Sequence, residues 1–202
     1  RTSAGIPGDP VNVGIVGSEK EIVCAFNVAG WSAANPVTLE TSLRIIGSVA
    51  LRRPYPAAPV SPLFYEGRQE DLAFEKAEGD SADRRHHIRL WRVLDAGDEQ
   101  RPVWLGSASF DRSVGISRYT LQVTHHIAPD VDAERDYVAT QLADVGMVES
   151  VYEIAGVGPT LAGRNGGGDP YFTDGEALIV VLAPDCKERA DKTVSRAGEP
   201  WQ

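Results

Sequence analysis

Apolar and polar positions along the chain alternate between helical and strand periods without forming repeated strand–helix units. A short apolar run over residues 11–16 ends at Gly17 and predicts a strand. Ser18, followed three residues later by Glu21, predicts a capping-box start for a helix that reaches about Ala29. This mixture of periods is typical of an α+β domain.

A second helix and an irregular connection follow this opening. Apolar residues recur every three to four positions over residues 39–51, which predicts a helix that ends at Pro54. Four prolines over residues 54–62 then predict an extended connection that forms a wall of the domain.

Strand-like alternation dominates the middle of the chain. Residues 63–65 and 72–75, with a turn at Gly67, predict a hairpin. Three longer strands, which we expect to form an antiparallel meander, are predicted over residues 86–93, 103–110 and 118–127.

The last third of the chain returns to a helix and then to strands. Residues 131–143 predict a helix that stops at Gly146. Two more strands are predicted over residues 150–157 and 176–182, and a glycine-rich stretch over residues 163–168 separates them.

Length and composition fit one domain. The 202 residues are 42% hydrophobic and can bury a substantial core. We therefore predict a single α+β domain over residues 1–183, with a central, mainly antiparallel sheet flanked by helices. Residues 184–202 are charged and poor in apolar side chains, which predicts a flexible tail.

The charge balance and the cysteines limit the function classes. With 20 basic and 29 acidic residues the net charge is -9, so nucleic acid is not expected as a partner. The sequence has no apolar run of about 18 residues that would span a bilayer. Cys24 and Cys186 are too few for a disulfide framework or a four-thiolate zinc site. Because Cys24 lies in the apolar pattern of the first helix, we expect it to be a buried, inert thiol.

The four histidines of the chain form two adjacent doublets, His86-His87 and His125-His126. Imidazole beside carboxylate is the material of metal sites and of acid–base chemistry near neutral pH. Neighbours in a strand face opposite sides, so each doublet divides between the two faces of the sheet. The sequence therefore predicts two half-sites.

We expect the more polar face to carry the functional site, with side chains that do not pack in the core. This face brings together His87, Arg89 and His126 with Ser107, Ser109 and Asp111 of the middle strand, and Asp130 lies just beyond the strand end. The opposite face places His86 and His125 among aliphatic residues, where a hydrogen-bonded core histidine is the more frequent outcome.

Two histidines with one or two carboxylates suit a divalent metal such as zinc, or iron or manganese if more oxygen ligands join. The predicted ligands are His87, His126, Asp111 and Asp130, with His86 and His125 as alternatives. Asp130 also begins the predicted helix, where a carboxylate caps free N–H groups, so ligand and cap stay open for this residue. Glu134, Arg135 and Asp136 indicate a solvated helix face.

The stretch over residues 163–171 is long for a hairpin loop. Its three consecutive glycines either leave the loop mobile or let its backbone approach another group closely. Arg164 and the glycine N–H groups suit an anion. The predicted ligand-binding residues are Arg164, Asn165, Gly167 and Asp169.

The same motifs carry a resemblance to a known family. They are RHHIRLW over residues 85–91, WLG over 104–106, HHIAPDVDAERD over 125–136, GRNGGGDPY over 163–171 and GIPGDPVNV over 5–13. From about residue 5 to residue 182 the chain resembles the LssY C-terminal domain family. This resemblance implies a bacterial domain that a segment outside the given sequence tethers to a membrane. The resemblance leaves open which side of the membrane the domain faces.

Two functions are consistent with these observations. The first is a metal-dependent, hydrolase-like active site in which His87, His126, Asp130 and Arg89 act on a small anionic ligand such as a phosphate group. The second is a non-enzymatic binding or assembly module of a membrane or secretion-associated protein. In that case the histidines organise a buried polar network, and Trp91 and Trp104 present an aromatic surface to a protein partner, a sugar or a peptide.

Overall fold

The computed structural model describes residues 1–2, 5–34, 62–79, 84–97, 100–116, 119, 123–155, 161–184 and 186. Within these ranges the helices are α1 (Glu19–Val28) and α2 (Val131–Asp144). The strands are β1 (Val13–Val16), β2 (Ser32–Ala33), β3 (Phe64–Tyr65), β4 (Arg68–Gln69), β5 (Leu72–Ala77), β6 (Arg85–Leu94), β7 (Val103–Ile116), β8 (Val123–Ile127), β9 (Val148–Ala155), β10 (Ala162–Arg164), β11 (Pro170–Phe172) and β12 (Glu176–Leu182). Neither of these helices is long and apolar enough to cross a membrane.

One large sheet organises the domain. Its strand order is β2-β5-β6-β7-β1-β12-β9, and β8 also pairs with β7. Only β1 and β12 run parallel among these described pairs, whereas the remaining neighbours are antiparallel. The predicted α+β class, with a mainly antiparallel sheet and a meander through β6, β7 and β8, is confirmed.

Sequence signals mark the start of α1 and the end of α2. At α1, Ser18 N donates to Glu21 Oε2 at 2.6 Å and Glu21 N donates to Ser18 Oγ at 3.3 Å, which is the capping box. At the end of α2, Gly146 takes a positive φ of 72°, a conformation that glycine adopts without steric cost.

The two helices cover one face of the sheet and form the main core with it. Phe26 of α1 stacks on Phe74 of β5 at 4.4 Å, and Leu142 of α2 belongs to the same buried cluster. A second, small apolar cluster lies on the opposite face and contains Val16, Ile179 and Val181. The rest of that opposite face, over β5, β6 and β7, carries polar side chains that are also buried.

The predicted hairpin near Gly67 has a different second strand. Phe64–Tyr65 pairs with Arg68–Gln69, whereas Leu72–Ala77 joins β6 in the large sheet. Glu66 and Gly67 form a two-residue turn in which both φ angles are positive, 49° and 79°. The alternation pattern missed β4 because Arg68 and Gln69 are polar and exposed.

Three predicted segments lie wholly or mostly outside the described residues. These are the helix over residues 39–51, the connection over residues 54–62, and the tail over residues 184–202, of which only Pro184 and Cys186 are described. The strand predicted over residues 118–127 is described over Val123–Ile127.

The prediction that Cys24 is an inert thiol is wrong, because Cys24 and Cys186 form a disulfide with a Cα–Cα distance of 6.1 Å. The two residues are 162 positions apart. Helix α1 packs against β12, and residue 186 follows that strand closely, so the fold brings the two sulfur atoms together. The disulfide therefore fixes the chain just after β12, the strand beside β9 at one end of the large sheet, to helix α1.

We expect the disulfide to stabilise the domain strongly, because it closes a long loop in the unfolded chain. Reduction, or the double substitution Cys24→Ala with Cys186→Ala, should lower the free energy of unfolding by about 2–5 kcal/mol. Urea unfolding with and without reductant measures this difference, and reductant should not change the double variant. Equal unfolding midpoints of the oxidised and reduced protein would contradict the prediction.

Candidate functional site

Each histidine whose side chain is described forms a close pair with a carboxylate. The pairs are His86 Nδ1 with Glu134 Oε2 at 2.8 Å, His87 Nε2 with Asp111 Oδ1 at 2.9 Å, and His126 Nδ1 with Asp169 Oδ1 at 2.6 Å. The side chain of His125 lies outside the described part of the structure. Histidine and carboxylate thus occur together as the sequence suggests, but in three separate places.

Strand register places the two histidines of the first doublet on opposite faces. His86 lies on the helix face, where its ring stacks on Tyr137 of α2 at 4.0 Å and contacts Phe110 at 4.6 Å. His87 lies opposite Ser109 on the polar face, beside Glu75 of β5. This division follows the alternation of side chains along β6.

His87 is locked by hydrogen bonds at both ring nitrogens. Arg89 NH1 lies 3.2 Å from Nδ1, and Asp111 accepts at Nε2. Because a guanidinium only donates, Nδ1 must be the acceptor and Nε2 must carry the proton. Ser109 Oγ lies 3.4 Å from Nε2 and 3.5 Å from Nδ1, across the ring rather than in line with one nitrogen.

The polar face is closed, contrary to the expectation that its side chains do not pack in the core. His87 and Arg89 each keep only 5% of their surface exposed, and Asp111 and Ser109 are equally buried. Charge pairing accounts for this burial, since opposite charges offset one another's cost of removal from water.

The network extends to the neighbouring strand β5 through Arg85. Its guanidinium lies 3.4 Å from Asp111 Oδ2 and 3.1 Å from Glu75 Oε2. Burial raises the pKa of Glu75 from its ordinary value, although Arg85 opposes this change. Arg85 thus joins β5, β6 and β7 through their side chains.

Asp9 connects the network to two loops. Its Oδ2 accepts from Ser109 Oγ at 3.3 Å and lies 3.5 Å from Arg89 NH1, while its Oδ1 accepts from Asn165 Nδ2 at 3.1 Å. Asn165 Oδ1 accepts in turn from the backbone N–H groups of Gly167 and Asp169, at 3.0 and 2.9 Å. The N-terminal segment and the glycine-rich loop are therefore attached to the sheet through one carboxylate.

The glycine-rich loop approaches the chain's own N-terminal segment. A Cβ at Gly166 would lie 2.5 Å from Thr2 Cγ2 and 3.4 Å from the Pro7 carbonyl oxygen. Arg164 NH1 donates to the Gly168 carbonyl at 2.8 Å, within the loop itself. The sequence predicted either a mobile loop or a close approach of its backbone to another group. At Gly166 that group is the N-terminal segment of the chain itself.

His126 differs from the other two described histidine side chains. Its carboxylate partner, Asp169, is 4% exposed and also accepts from Ile127 N at 3.3 Å. The His126 side chain keeps 24% of its surface exposed, and Nε2 has no hydrogen-bond partner among the described residues. With Nδ1–H held by an ionised carboxylate, Nε2 is left as an acceptor.

The predicted metal ligands take separate partners. His87 and Asp111 bond to each other, His126 bonds to Asp169, and Asp130 Oδ1 caps α2 by accepting from Ala133 N at 3.1 Å. Among the described residues no group of three or more histidine, cysteine, aspartate or glutamate side chains is arranged to hold a metal ion. The structure thus gives Asp130 a helix-cap role, and its role as a ligand stays a prediction.

Two further expectations are corrected by burial. Trp91 and Trp104 do not present an aromatic surface, because both are buried, and Trp104 Nε1 donates to the Gly17 carbonyl at 2.9 Å. Glu134 and Arg135 do not form a solvated face either. Arg135 is buried and bonds Asp174 through both terminal nitrogens, at 2.9 and 3.0 Å.

Sequence reasoning missed Asp9, Glu75 and Arg85 as members of the polar network. A signal for Arg85 was present, since residues 85, 87 and 89 are all polar within a strand whose other face is apolar. Asp9 and Glu75 carry no such signal, because their partners come from distant parts of the chain.

The pair of His86 and Glu134 predicts a pH dependence of stability. Burial raises the pKa of Glu134 above its ordinary value of 4.5, and His86 only partly opposes this. Glu134 Oε1 is buried and has no hydrogen-bond partner among the described residues. A raised folded-state pKa means that the stabilising contribution of protonated Glu134 is complete below 4.5 and is lost as the pH rises through the folded-state value.

Glu134→Gln removes this titration while keeping the size of the side chain. Relative to wild type, the variant should therefore gain stability as the pH increases from below 4.5 to neutral. Thermal melts of both proteins across this range measure the difference. A wild-type protein that becomes more stable than the variant as the pH increases would contradict the direction of the shift.

The comparisons with known proteins agree with the sequence motifs. The model of a family described as LssY C-terminus matches residues 1–177. No curated protein and no solved structure matches the chain. Since the matched range covers most of the 202 residues, including the histidine motifs and the glycine-rich loop, the chain belongs to the LssY C-terminus family.

Proposed function

We propose that this domain carries a general acid–base site at His126 and Asp169 and acts as a hydrolase-like enzyme on a small anionic substrate. The observation that carries the proposal is the geometry of His126. Among the described histidine side chains it is the one that combines a buried carboxylate at Nδ1, a ring nitrogen without a partner, and an exposed surface.

This geometry supports proton transfer. His126 Nε2 takes the proton of a water molecule or hydroxyl as that group attacks the substrate, and it returns the proton to the leaving group. Asp169 keeps Nδ1 protonated and stabilises the imidazolium that forms. The same ring orientation is the one that metal-ligating histidines have, so a divalent metal such as zinc would bind through Nε2.

The buried network on the polar face acts in this proposal by positioning Asp169. Arg89 and Ser109 hold Asp9, and Asp9 holds Asn165. Asn165 Oδ1 then binds the backbone N–H of Asp169. Arg164 lies on the same loop and is exposed, so it supplies a positive charge for an anionic group of the substrate.

Substitution of the pair tests the proposal. His126→Asn and Asp169→Asn should each lower kcat/KM by about 10²- to 10⁴-fold, because they remove the base or the group that orients it. Turnover of p-nitrophenyl phosphate and bis(p-nitrophenyl) phosphate, with added zinc and with chelator, is the measurement. Circular dichroism checks that each variant is folded.

Asp130→Asn is the matched control, since it makes the same change in charge at a residue that caps α2. Asparagine caps a helix about as well as aspartate, so activity should stay within about twofold of wild type. A fully active His126→Asn protein, or a folded wild type that turns over neither substrate in any of these conditions, would contradict the proposal.

A non-enzymatic binding or assembly module is the second candidate. The observation that favours it is the internal pairing of the buried network, in which Glu75, Arg85, Asp111, His87, Arg89 and Asp9 form a continuous chain of contacts. A network satisfied in this way holds a scaffold rigid without needing a substrate. A domain that binds a partner but catalyses no turnover would support this second function.

We also propose that this domain, as part of a bacterial protein tethered to a membrane, faces an oxidising compartment. The disulfide between Cys24 and Cys186 supports this side, because such bonds form and persist in the periplasm and outside the cell. Cells lysed in the presence of a maleimide reagent test it. The two cysteines should resist labelling until reductant is added, whereas immediate labelling would place the domain on the reducing side.

A further inference from the structure

We propose that β9 is a docking edge for an extended peptide segment with lysine or arginine at alternate positions. The segment would extend the large sheet by one strand. This surface lies apart from the proposed acid–base site and does not depend on it.

Strand β9 ends the sheet and is accessible. It pairs with β12 on one side and is the last strand in the described order. Five consecutive residues, 149–153, are exposed, and they include Val151 at 44% and Tyr152 at 50%. Among the described residues, the backbone N–H and C=O groups on the outer side of this eight-residue strand have no partner, which is what strand addition requires.

The charges along this edge select the partner. Val151 and Glu153 share one face, Glu149 lies at a register shift of the strand, and Glu153 lies diagonally from Glu176 on β12. Repulsion by Glu153 is the main cause that raises the pKa of Glu176. Within the described part of the chain no cationic side chain forms a salt bridge with Glu153, whereas Glu149 lies 3.9 Å from Arg101.

A second copy of the chain fits this edge poorly. Antiparallel pairing of two β9 strands about Val151 would bring the segment with Glu149 of one copy close to Glu153 of the other. Pairing about Tyr152 would place both Glu153 side chains on the same seam, next to Glu176. Like charges in cross-strand positions destabilise a pair, and the net charge of -9 adds to the repulsion.

A basic extended segment satisfies every feature of the edge. Its backbone would pair with the outer side of β9, and its lysine or arginine side chains would lie near Glu149 and opposite Glu153. Apolar residues at the intervening positions would pack on Tyr152 and Ile154, which share the other face. The partner class is therefore a strand with alternating basic and apolar residues.

Binding of three synthetic peptides to the intact domain tests the proposal. The peptides are a seven-residue alternation of lysine and valine, the same peptide with alternate backbone nitrogens methylated, and an alternation of glutamate and valine. We expect binding by the first peptide alone, weakened by added salt. Fluorescence anisotropy gives the affinities, and backbone NMR shifts should locate the contact at residues 148–155.

Glu153→Lys should weaken binding of the lysine peptide by about fivefold or more, because it replaces attraction by repulsion in a cross-strand pair. Glu66→Lys is the matched control, since it makes the same change in net charge in the exposed turn between β3 and β4. This control should bind within about twofold of wild type.

Four results would overturn the proposal: no binding of the lysine peptide, equal binding of the methylated peptide, equal loss in both variants, or dimerisation through β9 in sedimentation experiments. The outcome is also independent of His126. Peptide binding by His126→Asn should equal that of wild type, so failure of the acid–base proposal and failure of the docking proposal are distinguishable.

Discussion

The contact between His87 and Asp111 joins the buried charges of the polar face into one network. Each of these groups would cost several kcal/mol if it were buried alone, so it stays in the interior only while its partner is in place. The partners come from neighbouring strands, and Glu75, His87 and Ser109 lie side by side across β5, β6 and β7. A slip of one residue in either pairing would turn these side chains toward the apolar helix face, which makes the register strongly specified.

The network also connects the N-terminal segment with the glycine-rich loop. Asp9 and Asn165 are 156 positions apart, yet their side chains meet above the polar face. The glycine-rich loop can reach this point because Gly166 allows it to lie against Thr2 and Pro7. The orientation of Asp169, and through it of His126, therefore depends on contacts made near both ends of the matched family range.

The two surfaces proposed for function differ in the burial and the partners of their carboxylates. At His126 the carboxylate of Asp169 is buried and forms a hydrogen bond with one ring nitrogen. At β9, Glu149 and Glu153 are exposed, and Glu153 repels Glu176 of β12. Charged side chains on an edge strand discourage pairing between identical copies, and the same charges define which other strands can pair there.

The sequence by itself determined the local structure and the direction of the side chains. The capping box at Ser18 and the stop at Gly146 act within a few residues, so their patterns were sufficient, whereas the pattern at Asp130 left cap and ligand open. Alternation likewise assigned His86 and His87 to opposite faces, because direction in a strand depends only on position. The motifs around these residues also predicted the family.

Only the tertiary structure decided what each of these side chains meets. The carboxylates bonded to His86, His87 and His126 are 48, 24 and 43 positions away, and the cysteines that form the disulfide are 162 apart. Alternation shows which way a side chain points but not what covers that side. The polar face was therefore expected to be open, whereas in the fold Asp9 and Asn165 reach it from distant segments and His126 keeps the free ring nitrogen.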